Sequence, residues 1–350
     1  MMMLRRILAG LCLALLLAVP AEAQMGRRII LFGGVPAWVK SGASVDMDFA
    51  NGRYFGCSLA SCFSLTRASA KTNLLPSSAS GFVYTTFGSG IPAIDSNGWL
   101  QEEARTNQLL NSTAPATQTT ASLGTGTYTL WVNGSGSATM SAGTGTGCGT
   151  GAATNGTPVN FTITIAGTCT VTVSGSLNAF QLEQNTPSAA QGTSFIVTAA
   201  SPVTRAGDAV TMNAPLSTTI ASGAASLVLQ TNLLANGGAN AATLIMRGAN
   251  SYVRSALTNK VDYWNNVADL QATLGSGTLA GSLVKTGMSW SGTGRSLVAN
   301  NGTVATDAGV PGTAGTVQFG TGGQSPDGYI SRLTVWSSRL PDATLKAFTQ

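Results

Sequence analysis

The sequence predicts an all-β protein made of two antiparallel β-sandwiches that follow an irregular N-terminal segment. Three observations carry that expectation. Short runs alternate apolar and hydroxyl residues with the period of two that buries one face of a strand, as in Val159 to Ile165 (VNFTITI) and Thr170 to Ser174 (TVTVS). Turn-forming residues, including many of the 43 glycines, separate these runs. Only 9% of residues are charged, so solubility comes from hydroxyl and amide groups, a composition that suits short strands and many turns. A chain of 350 residues has room for two or three domains.

Composition also removes several functions. Histidine is absent, and with it the commonest general base, the usual partner of a nucleophilic serine and most zinc sites. The formal net charge is +5, yet no run of Lys or Arg exceeds two residues. Setting aside Arg5, Arg6 and Glu22 leaves 16 basic residues against 12 acidic ones. That balance gives neither a nucleic-acid footprint nor a polybasic membrane patch.

Met1 to Ala23 begins with Arg5 and Arg6, continues through an apolar run from Ile7 to Val19, and ends in Ala21-Glu22-Ala23. This is the pattern of a secretory signal peptide cleaved after Ala23. No later stretch reaches about 18 apolar residues, so no membrane insertion is expected. A start at Met25 would instead leave no export signal. Four cysteines follow Ala23 in two close-set groups, Cys57 with Cys62 and Cys148 with Cys169. An even count behind an export signal suggests disulfides. Of three connectivities the two local ones are favoured, because the groups fall in different segments; zinc, which no His and no C-x-x-C pair supports, and free buried thiols are the alternatives.

Residues 24–112 read as the irregular segment. Ser44 to Phe49 (SVDMDF) alternates like a strand, and Phe55 to Thr66 is mixed apolar around the first cysteine pair. Thr66-Arg67-Ala68-Ser69 comes next, then a loop with Gly81-Phe82-Val83-Tyr84, then Trp99 to Ser112 (WLQEEARTNQLLNS). These residues resemble a segment of phage and prophage fibre or spike proteins, "F-x-x-x-R-A-S", a loop, then "G-L-L-x-E-E-x-R-T-N-L-L-x-x-S". Glu102, Glu103, Arg105, Thr106 and Asn107 match it, Trp99 and Leu100 replace the Leu pair, and Gln108 interrupts the ending. Glu102 and Glu103 do not read as a catalytic pair, since strand neighbours point to opposite faces. A buried clasp with Arg105 or Arg67 is the expectation.

Residues 113–186 read as a small sandwich with strands Thr127 to Val132, Ser137 to Ser141, Val159 to Ile165, Thr170 to Ser174 and Ala179 to Glu183. Gly143 to Gly156 is a Gly-Thr-rich loop that a Cys148–Cys169 bridge would hold. The segment is similar to jelly-roll carbohydrate-binding modules, and its Gln181-Leu182-Glu183 resembles their final strand in fibre proteins. Trp131 is a candidate for stacking on a sugar ring, or else core.

Residues 187–208 read as a linker spaced by Pro187, Gly192, Pro202 and Gly207. Thr193-Ser194-Phe195-Ile196 and Thr204-Arg205-Ala206-Gly207-Asp208 resemble the "T-S-Y-I-x-T... T-R-A-x-D" junction of the same phage-like proteins. Residues 209–350 form the second sandwich. In it Arg295 to Val304 predicts a hairpin through Asn300-Asn301-Gly302, residues that tolerate positive φ, and Tyr329 to Trp336 a closing strand before a short helix near Pro341. This ending resembles the concanavalin A-like, laminin-G-like family, with its "R-S-L-x-x-N-G" hairpin and "G-x-I-x-R-L-x-V-W" strand. The resemblance implies a rim or face that binds sugar or calcium. Tyr252, Tyr263, Trp264 and Trp290 are the stacking candidates, and Asp262, Asp269, Asp307 and Asp327 offer oxygens for Ca2+. No D-x-D run joins them, and solvated turn aspartates are the alternative. Trp336 faces outward or closes the core.

Three functions remain. The first is a non-catalytic extracellular adhesion or fibre-type protein that meets a glycan or cell-surface polysaccharide, secreted, periplasmic or on the cell surface. The second is a purely structural virion component, which a start at Met25 would suit. The third is a glycoside hydrolase on a concanavalin A-like scaffold. After Ala23 the only glutamates are Glu102, Glu103 and Glu183, all outside the second sandwich, which disfavours hydrolysis. Fibres are often homo-oligomers, but no heptad or repeat is present.

Overall fold

The closing strand organises the larger body of the protein. Gly328–Trp336 turns Ile330, Leu333 and Val335 into the core, and a register shift opposite Gln230/Thr231 breaks the strict alternation between them. It pairs antiparallel with Ala225–Leu233 on one side. On the other side it pairs with Val45–Asp48 and with Gly98–Gln101, both from the segment read as irregular. That segment therefore supplies strands to the sandwich. Val45–Asp48, Phe63–Thr66, Gly98–Gln101 and Arg105–Asn107 in it are each completed by a distant partner, whereas Lys71–Leu75 pairs locally with Val83–Phe87.

The computed structural model describes residues 35–75, 83–149, 151–184, 193–234, 243–248, 251–256, 259–265, 269–279, 281–320 and 327–350. The expected signal peptide and Met25 lie outside them. Lys40–Gln350 forms one compact unit. Its fold is all-β, with antiparallel sheets, as the sequence predicts.

The nine-stranded first sheet runs from Arg53–Phe55 through Val45–Asp48, Gly328–Trp336, Ala225–Leu233, Leu283–Ser291 and Gly294–Ala299 to Ala305–Asp307, with Ile94–Asp95 and Gly98–Gln101 joined at its side. The seven-stranded second sheet runs Asp269–Thr273, Lys260–Trp264, Ser251–Ala256, Thr243–Gly248, Gln318–Phe319, Ala209–Met212 and Phe63–Thr66. One hydrophobic core draws on both. Phe49, Phe63, Trp99 and Phe319 meet at its centre with ring centroids 5.3–5.8 Å apart for the three pairs Phe49–Phe63, Phe49–Trp99 and Phe63–Trp99, all edge-on. Trp336 lies on the other face of the first sheet, stacked on Phe348 at 5.0 Å beneath the terminal helix Asp342–Ala347.

The smaller body is a five-stranded sheet. The predicted pairs of short strands are continuous in it: Gly126–Ala142 pairs along its length with Cys169–Gln184. Glycines at Gly134 (φ 127°) and Gly175 (φ 77°) adopt backbone that other residues rarely enter, and they let two long strands bend where composition suggests turns. Leu130, Val132, Met140, Phe161, Val171, Phe180 and Leu182 fill its own core.

This body enters and leaves the larger one through paired strands, Arg105–Asn107 and Val203–Arg205, with Arg105 opposite Arg205. It is thus an insertion into the sandwich. The described part of the expected linker is not a loose tether, because Thr193, Ser194, Phe195, Ile196 and Thr198 are buried; residues 187–192 lie outside the described ones.

Both disulfides form with the local connectivity. Cys57 bonds Cys62 across the short helix Leu59–Cys62, which Ser58 and Ser61 cap reciprocally, and Cys148 bonds Cys169.

Candidate functional site

Alternation on Lys260–Trp264 sends Val261 and Tyr263 into the core and Lys260, Asp262 and Trp264 to the outer face of the second sheet. On the neighbouring edge strand Leu270 and Ala272 point inward, leaving Asp269, Gln271 and Thr273 exposed. Register places Trp264 opposite Asp269, Asp262 opposite Gln271, and Lys260 opposite Thr273. The indole of Trp264 is half-buried, so one part of it is open to solvent. Arg254 braces the face: its Nε donates to both Asp262 oxygens at 2.7 and 2.8 Å, and its Nη2 reaches Asp269 at 3.3 Å. Burial pushes the Asp262 carboxyl up, and the Arg254 bonds oppose that shift.

The same edge strand forms one wall of a shallow groove of about 430 Å³. Gln271 and Thr273 meet the Asn301-Gly302-Thr303 turn across it, and Lys346 closes one end. The turn is fixed by Asn300 and Asn301 at φ 43° and 58° and by Asn300 donating to Ser276 O at 2.8 Å. No carboxylate lines the groove, and Lys346 has no ion pair among the described residues. From the row of Trp264 to that of Thr273 is roughly 13 Å at ~3.3 Å per residue. The outward row thus runs from the partly open Trp264 indole beside Asp269 to Gln271 and Thr273, beside Lys260, and these two open onto the amides, hydroxyls and Lys346 of the groove, a surface suited to a polar, ring-bearing ligand.

Other expected site residues stand elsewhere. Trp290 and Tyr263 are fully buried, which corrects their reading as stacking platforms. The Trp290 Nε1 donates to Ser222 O at 2.9 Å beneath Arg247, and the Tyr263 hydroxyl pairs with Ser251 while Arg295 lies 4.8 Å over its ring. Trp131 is half-buried, with the Phe195 ring 6.0 Å away. The side chain of Tyr252 lies outside the described residues.

The calcium reading is likewise corrected, because the aspartates are spent on arginines. Asp307 accepts from Arg295 and from Gly309 N, which hold its carboxyl below the usual range. Asp327 accepts from Arg105 at 2.7 Å and Glu103 N at 2.8 Å, while burial pushes it up to about 6. Among the described residues no group of three or more acidic or cysteine side chains is placed to hold a metal ion.

Glu102 and Glu103 do form a clasp, with partners partly different from those expected. Glu103 pairs with Arg105 at 3.0 Å, but Glu102 faces Lys71 at 3.2 Å and Arg205 at 3.5 Å and accepts from Ser194 N at 2.6 Å. Arg67 binds Asp208 at 2.7 Å instead. Asp208 is legible in the sequence only as the last residue of the "T-R-A-x-D" pattern, and Lys71, two residues past "R-A-S", has no signal of its own. Burial alone would raise the Glu102 carboxyl, yet Arg205 and Lys71 beside it bring it down to about 2.

A comparison with protein-family models finds no match, and neither does a comparison with curated protein sequences. Among solved structures the chain is similar to the CBM40 module of the Ruminococcus gnavus IT-sialidase bound to α2,3-sialyllactose. That match has 15% identity and a TM-score of 0.30, over 38% of this chain and 86% of the other. It is also similar to a leech intramolecular trans-sialidase, at 14% identity and a TM-score of 0.30 over 39% of this chain and 24% of that one. A Trypanosoma rangeli sialidase follows at 10% identity and a TM-score of 0.24, over 37% and 23%.

Proposed function

We propose that the chain is a non-catalytic extracellular adhesion or fibre-type protein that binds carbohydrate along the Asp269–Thr273 edge of its second sheet, from Trp264 past Gln271 and Thr273 to Asn301, Thr303 and Lys346 across the groove. The observation that carries this reading is a partly open indole at one end of the edge strand whose outward Gln271 and Thr273 enter a groove of amides and hydroxyls. The apolar face of a pyranose suits the indole, and its hydroxyls suit the groove. The run of roughly 13 Å from the row of Trp264 to that of Thr273 is long enough for more than one sugar ring. The disposition of the acids supports a binding role over hydrolysis: Glu102 and Glu183 are buried, Glu103 is paired with Arg105, and the aspartates near the face are paired with Arg254. The export signal and the fibre-like pattern of residues 66–112 and 193–208 support an extracellular, phage- or prophage-related setting.

The test is a glycan-array screen of residues 24–350 beside a Trp264→Ala variant whose fold is checked by circular dichroism. Loss of the stacking platform is expected to weaken binding about tenfold, or ~1.4 kcal/mol. Unchanged binding by the folded variant would move the site off this face. Absence of binding to any glycan would favour a purely structural virion component.

A further inference from the structure

Lys71, Glu102 and Asp208 form a cluster that a glycan-binding face does not use. Their side chains are wholly buried. Lys71 opens the strand Lys71–Leu75, Glu102 follows Gly98–Gln101, and Asp208 precedes Ala209–Met212, so three strands from distant parts of the chain converge here. The Lys71 Nζ contacts Asp208 Oδ2 directly, lies 3.2 Å from Glu102 Oε2, and donates to Leu100 O at 3.1 Å. Arg67 Nη1 donates to the other Asp208 oxygen at 2.7 Å, and Glu102 N donates to Oδ2 at 3.0 Å.

We propose that Lys71 and Asp208 join in an intramolecular isopeptide bond, with Glu102 carrying the protons. Nζ attacks Cγ of Asp208, a C–N bond forms, and the C–Oδ2 bond breaks. Two of the three protons of the ammonium pass to the departing oxygen, the first by way of Glu102 Oε2. The products are one neutral secondary amide and one water, so atoms and charge balance with no added reagent. Arg67, on Oδ1, stabilises the negative charge that develops there as the tetrahedral centre forms.

Three physical arguments favour the reaction over a lasting ion pair. The ammonium already touches the carboxylate whose carbon it attacks, and Arg67, Leu100 and Glu102 hold the two groups from either side, which supplies the entropic part of the barrier in advance. Burial lowers the hold of Lys71 on its proton, against the pull of Glu102 and Asp208, and so favours the nucleophilic amine. A buried ion pair also carries a desolvation cost that a hydrogen-bonded amide largely escapes. The bond would close a loop between positions 137 apart in sequence, enclosing the whole inserted body.

Peptide mapping by tandem mass spectrometry of the folded, unaltered chain, after denaturation and disulfide reduction, decides the matter. The expected result is a branched peptide joining the Lys71 and Asp208 segments, one water lighter than the two linear peptides together. Recovery of only the linear peptides from folded protein would overturn the bond. Glu102→Gln and Glu102→Asp variants, checked for folding, are expected to acquire the branch about a hundredfold more slowly in a pulse-labelled time course. Linkage at the unaltered rate in either folded variant would overturn the role of Glu102.

Discussion

Glu183 and Glu102 share one buried cluster and hold their protons in opposite ways. Burial dominates at Glu183 and pushes it up to about 7, although Thr193 and Arg205 oppose the shift and Arg105 also faces it. Glu102 is equally buried but stands between Arg205 and Lys71, which bring it to about 2. An unfolded glutamate titrates near 4.5. The folded pKa of Glu183 is therefore raised, so its contribution to stability is fully present below about 4.5 and is lost as pH rises through about 7. Asp327, pushed up to about 6, acts in the same direction, so the comparison must isolate Glu183. Glu183→Gln, which mimics the protonated acid, is expected to gain in urea midpoint over the parent chain between pH 4.5 and 7.5. An equal difference between the two proteins at both pH values would show that Glu183 does not titrate in this window.

At the scale of elements, the Cys148–Cys169 bridge spans 21 positions and fastens the Gly-Thr-rich loop to the start of a long strand. A Cys148→Ser, Cys169→Ser double variant is expected to lose ~3 kcal/mol in the loop-entropy account, read by denaturant unfolding; a loss below about 1 kcal/mol would mean that the loop is already ordered by Thr144 and Thr168. This bridge, like the Asn300–Asn301 turn, was legible in the sequence because the residues that make it lie close together. The long bent strands were not, since Gly134 and Gly175 read as breaks and only the partner strand shows that pairing continues through them. Faces were half legible. Alternation separated Tyr263 from Trp264, but which of the two meets the core depends on the first sheet. For the same reason the conjunction of Lys71 with Asp208 left no local trace: their positions are fixed by strands that pair only when the sandwich closes.

At the scale of the molecule, chain order and fold order differ. The sequence divides naturally before Ala209, yet residues 209–350 do not contain their own sandwich. Without residues 40–101 the strand Gly328–Trp336 loses both Val45–Asp48 and Gly98–Gln101 and becomes an edge with bare backbone groups. The core at the same time loses Met47, Phe49, Phe63 and Trp99, four large side chains from its centre, each worth roughly 3 kcal/mol or more when removed from a packed interior. Together that is as large as the whole margin by which an ordinary domain is stable. A fragment of residues 209–350 is therefore expected to aggregate or to melt without a cooperative transition. A second chain, in which a short turn replaces residues 108–202 and joins Asn107 to Val203, should fold, because those two residues are already cross-strand partners. It should be less stable than the full chain, since Glu102 loses its bond from Ser194. Calorimetry of the two separates the accounts: a cooperative transition in the fragment and none in the shortened chain would mean that the sandwich is built from contiguous sequence after all.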